Sequence, residues 1–112
     1  YYNSIIDAWY CNGKPVSEEM VEVSRLVMNL VEKLRLPRDY IYNKFAEQYE
    51  VLEELALSNY TKRLFPVALG FVVLNASLNF KEVSRKINIS YDLVQRAFQR
   101  YFKALARHRN LH

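Results

Sequence analysis

Apolar residues along this chain recur at steps of three and four far more often than at steps of two. Met20, Val23, Val27, Leu30 and Leu34 form one such stripe, the spacing by which an α-helix buries a single face. Ser17 precedes it as a cap, and Glu18 and Glu19 suit the positive end of the helix dipole. Pro37 is expected to end this helix, and a second starts near Arg38 with Ile41, Phe45, Leu52 and Leu55 inward. Glu47, Glu50, Glu53 and Glu54 gather on its other side, which is expected to be a solvated face. Beyond Ser58-Asn59-Tyr60, the run Val67 to Leu74 is apolar without interruption. A helix apolar all round is surrounded by others. A buried strand would read the same way, but Pro66 suits a first helical turn and the flanking segments have helical period. The segment from about Lys62 to Leu78 is therefore predicted as the central helix, with Ala68 and Gly70 small enough to let a neighbour close in.

Asn79 followed by Glu82 marks a new helix start, and Asn88 with Ser90 soon offers a turn and another cap. Val83 and Ile87 are the apolar face of this short helix. The last helix is predicted from Tyr91 towards Arg107, burying Val94, Phe98, Tyr101 or Phe102, and Leu105. The expectation is an all-α fold of five helices around a hydrophobic central one. Residues 1–16, with Tyr1, Tyr2, Trp9 and Tyr10 ahead of Asn12-Gly13-Lys14-Pro15, form an aromatic arm. It either packs on the bundle or serves as a partner-docking strip, for which Trp9 and Tyr10 are the candidates. Residues 17–108 make the domain, and 109–112 a tail.

Composition narrows the classes. Two glycines and three prolines are too few turn signals for an all-β or Rossmann-like chain, and no phosphate-cradling glycine loop is present. Cys11 is the single cysteine, so an intrachain disulfide and a cysteine-based zinc site are excluded. His108 and His112 have ligand spacing without a third ligand in view, and no nucleophile elbow surrounds any serine. The expectation is a binding module, not an enzyme, without cofactor, membrane span or small-molecule substrate. A single cysteine fits a reducing compartment and with it a cytoplasmic or nuclear address, and the opening Tyr1-Tyr2-Asn3, without a methionine or signal-peptide regions, is expected to be cut from a longer chain.

Charge is unevenly placed. Residues 81–112 carry eight Lys/Arg against Glu82 and Asp92, a surplus of six in a chain whose total is +4, so residues 1–80 sum to −2. A basic last third on an acidic body points to an anionic partner. Residues 80–107 combine short helix, turn at Asn88 and longer helix, the pattern of a helix-turn-helix. Gln95, Arg96, Gln99 and Arg100 carry groups that match base-edge donors and acceptors, whereas Lys81, Arg85, Lys86, Lys103, Arg107 and Arg109 suit backbone phosphates. A solvated basic face and a protein-binding face remain the alternatives.

Five stretches carry a family resemblance: Leu34-Arg35-Leu36-Pro37, Asn43-Lys44-Phe45-Ala46-Glu47-Gln48-Tyr49, the small-residue run Phe65 to Leu74, Lys81 to Ser90, and Val94-Gln95-Arg96-Ala97-Phe98. From Glu18 to about Ala106 the chain resembles one cyclin-like repeat of the archaeal transcription factor B and eukaryotic transcription factor IIB family. Where that family has a turn glycine, this chain has Asn88. The resemblance implies a cyclin-like five-helix domain in transcription initiation. It would contact duplex promoter DNA through the helix-turn-helix, with TATA-binding protein and RNA polymerase as partners. A cyclin-like protein-interaction scaffold without direct DNA recognition is the competing expectation.

Overall fold

The computed structural model describes residues 17–58 and 63–110, and among them all regular structure is helical, with six helices and no strand. α1 spans Glu18–Lys33. Its start is the capped one expected, with the Met20 N–H donating to Ser17 Oγ at 3.3 Å. Its end is set differently from the expectation. Arg35 takes a left-handed conformation (φ 53°), and the Leu36 N–H returns to the Val31 carbonyl at 3.0 Å, a Schellman closure that satisfies the orphaned carbonyls. Pro37 instead stands at the cap of the next helix, its fixed φ preparing the first turn.

The single second helix expected from the pattern is two: α2, Arg38–Glu47, and α3, Tyr49–Leu57, meet at Gln48. This is why the count is six and not five. Gln48 (φ −105°, ψ 18°) falls outside helical geometry while its backbone still bonds both ways along the chain. Its side chain is buried, and the break turns it inward to a polar knot. The Gln48 Nε2–H donates to Asn75 Oδ1 at 2.8 Å, Asn75 Nδ2 donates back to Gln48 Oε1 at 3.2 Å and to the Phe71 carbonyl at 2.8 Å, and the Tyr101 hydroxyl donates to Gln48 Oε1. Polar groups this deep are tolerable because they satisfy one another.

α4, Phe65–Ala76, is the central helix, shorter than its apolar flanks suggested, with Pro66 in its first turn. Val67 to Val73 are all buried. Phe71 sits between Phe45 and Tyr101 in edge-on contacts, with centroids 5.6 and 5.9 Å apart, the geometry that aligns each ring's positive edge with its neighbour's face. Burial pushes the Tyr101 phenol well above its ordinary range, against a smaller opposing pull from the Arg109 charge. Ser77 (φ 53°) closes α4 as Arg35 closes α1.

α5, Phe80–Lys86, and α6, Tyr91–Asn110, complete the chain. Gly70 is where α4 and α6 touch. A Cβ there would collide with the Ala97 carbonyl oxygen and lie 2.8 Å from Tyr101 Cβ, so only glycine permits this approach. α6 buries Val94, Ala97, Tyr101 and Leu105. Of the two rings left open by the periodicity, Tyr101 takes the core position, whereas Phe102 is 51% exposed and Phe98 only half-buried. α6 also runs on past Arg107 to Asn110, so that Arg109, expected in the tail, lies on the helix, and His108 Nε2 stands 3.6 Å from a Glu50 carboxylate oxygen. No helix among the described residues is long and apolar enough to cross a membrane.

Candidate nucleic-acid interface

The α5–α6 segment, where the sequence predicts a helix-turn-helix, is built from local rules. Asn79 Oδ1 accepts from the Lys81 and Glu82 N–H groups at 2.9 and 3.4 Å, starting α5. Asn88 ends it in the left-handed region (φ 56°), a conformation asparagine adopts at lower cost than most residues. The Ile89 N–H then reaches back to the Ser84 carbonyl at 3.0 Å, and Ser84 Oγ donates to the Ile89 carbonyl at 2.6 Å. Ser90 Oγ accepts from the Leu93 N–H at 3.1 Å and opens α6. Ile87 and Ile89 lie against the core.

A ring clasp, which the charge reading did not single out, holds the two helices together. Phe80 of α5 contacts Tyr91 and Phe98 of α6, with centroids 6.0 and 5.1 Å apart, and Phe98 stacks on Phe102 at 5.9 Å. Its signal was available: Tyr91, Phe98 and Phe102 share one row of α6, and Phe80 begins α5.

The cations fall on a separate face. Arg96, Arg100, Lys103 and Arg107 follow one another at steps of four, three and four, and all are exposed, so they form one continuous row. Gln99, also exposed, borders the row between Arg96 and Lys103. Asp92 pairs with Arg96 at 3.2 Å, but both side chains are largely in water, where such a pair is worth under about 1 kcal/mol and exchanges readily. Arg100, Lys103 and Arg107 form no salt bridge among the described residues. On α5, Lys81 and Arg85 lie opposite buried Val83, and Lys86 is exposed beside them.

Two of the expected contacts lie elsewhere. Gln95 is half-buried in the row of Tyr91, Phe98 and Phe102, away from the arginines. Arg109 is exposed on that same flank and borders a groove towards α2. Trp9 and Tyr10 lie outside the described residues. Among the described residues no group of three His, Cys, Asp or Glu side chains is placed to hold a metal ion. Compared with protein-family models, curated proteins and solved structures, the chain gives no match.

Proposed function

We propose that this chain is a DNA-binding module that lays α6 against duplex DNA, with α5 crossing the backbone. One observation carries the reading: four cations in a single exposed row on a helix whose opposite face is locked into the core. Arg96 to Arg107 covers about 16 Å of helix axis, enough to meet successive phosphates. Arg96, Gln99 and Arg100, nearest the turn, are the base-edge candidates; Lys103, Arg107, Lys81, Arg85 and Lys86 are the phosphate candidates. Gln95 would act only if the ring row also approached the groove wall.

The resemblance over Glu18 to Ala106 supports the finer proposal, a divergent cyclin-like repeat that acts at promoters beside TATA-binding protein. In that reading α2 and α3 together stand for one helix of the repeat, broken by Gln48. The test is fluorescence anisotropy with labelled duplexes, one AT-rich and promoter-like and one scrambled, with and without TATA-binding protein. Binding to duplex that is lost in Arg96→Glu/Arg100→Glu supports the module, and tighter binding with TATA-binding protein supports its place. A folded protein that binds neither duplex at low salt leaves the protein-interaction scaffold as the better reading.

A further inference from the structure

A groove of about 440 Å³ lies between α2, the end of α4 and the C-terminal half of α6. Its size is that of a small-molecule site. Two rings line it, Tyr40 from α2 and Phe102 from α6, each about half exposed (48% and 51%). They are two of the few large apolar side chains that the described residues leave in water. Two cations, Lys44 and Arg109, border the same space. Lys44 is held only loosely, by an exposed pair with Glu47 at 3.3 Å and by the Tyr40 ring at 5.7 Å, and Arg109 makes no salt bridge among the described residues. The floor is the Gln48 and Asn75 amide knot. Asn75 spends both of its N–H groups within the knot, and Gln48 Nε2 donates to Asn75 Oδ1.

We propose that this groove binds a small organic acid with a flat apolar body, its carboxylate between Lys44 and Arg109 and its body between Tyr40 and Phe102. A simple inorganic anion would satisfy the cations and leave both rings in water. A neutral apolar molecule would cover the rings and bring no partner for two cations. Only a ligand carrying both parts uses all four side chains. The DNA row does not compete for this ligand, because Arg96, Arg100, Lys103 and Arg107 occupy a different face of α6.

Naphthoate is a suitable probe, titrated into the isotope-labelled full chain and followed by amide-resolved NMR, with naphthamide and inorganic phosphate as comparators. Saturable shifts are expected at Lys44, Asn75, Ser77, Phe102 and Arg109. Naphthamide should bind about tenfold more weakly, the loss expected when one charge-assisted contact disappears. Lys44→Gln/Arg109→Gln should weaken naphthoate similarly while the thermal midpoint stays within a few degrees, and Phe102→Ala should weaken naphthoate and naphthamide alike. Absence of saturation, shifts centred outside the groove, equal affinity for naphthamide, or phosphate reproducing the naphthoate shifts would each overturn the proposal.

Discussion

Replacing Gly70 by alanine tests the contact that positions α6. The added methyl would meet the Ala97 carbonyl oxygen, with the Ala97 carbonyl carbon at 3.0 Å and Tyr101 Cβ at 2.8 Å. None of these atoms can rotate out of the way, since two belong to helix backbone and the third is the root of a buried side chain. Overpacking of this kind costs about 1–3 kcal/mol, and a clash with backbone belongs near the top of that range. Alanine returns roughly 1 kcal/mol through its better helix propensity. The net loss is about 2 kcal/mol, equivalent to a fall of about 8–16 °C in the melting temperature of a domain this size. Circular dichroism melts of the two proteins measure it directly. A midpoint that is unchanged or higher would mean that α4 and α6 do not approach as closely as described, and the placement of the basic row would lose its support.

Other substitutions probe the chain ends of the helices and the polar knot. Arg35→Gly and Ser77→Gly relieve left-handed backbone at φ 53° and should each raise stability by roughly 0.5–1 kcal/mol, read as higher urea midpoints; lower midpoints would argue against those two closures. Tyr101→Phe removes the hydroxyl donor to Gln48 Oε1 while Asn75 still serves that oxygen, so a loss near 1 kcal/mol is expected. A loss several times larger would show that the knot depends on the phenol. Alkaline pH acts through Tyr49, whose phenol is pushed from 10.0 up to about 12 by burial and by the Glu53 charge, and through Tyr101, raised further by burial. A raised phenol contributes stability that is fully present below pH 10 and lost as pH climbs through the folded value. Denaturation midpoints should therefore be flat on the low side of pH 10 and fall above it, less steeply in Tyr101→Phe; a fall that begins near neutrality would contradict the assignment.

Most of the helices were legible because each obeys a local rule. Ser17, Asn79 and Ser90 cap where their side chains predict, the apolar run Val67 to Val73 is central because nothing polar interrupts it, and Asn88 turns left-handed where a turn was needed. What escaped was set by tertiary partners. The break at Gln48 has no local breaker, since neither proline nor glycine stands nearby; its cause is Asn75 and Tyr101, distant in sequence. Tyr101 rather than Phe102 faces inward for the same reason, as its hydroxyl has a buried acceptor. The candidate site was legible as a cluster of charge but not as geometry: Arg96, Arg100, Lys103 and Arg107 share one row, whereas Gln95 and Arg109 belong to a different flank of the same helix. The arginines stand out by their chemistry, and the helical step decides which of them share a face.

The most direct test of the central claim is the salt dependence of duplex binding by the intact row and by Arg96→Glu/Arg100→Glu. Each phosphate neutralised contributes a slope of about −0.9 to the logarithm of affinity against the logarithm of salt. A steep slope is expected for the native chain, shallower by about 2 in the variant if both arginines bear on phosphates, as well as a large loss of affinity at every salt concentration. Native and variant proteins with the same slope and the same affinity would contradict it, because the row on α6 would then play no part in contacting DNA.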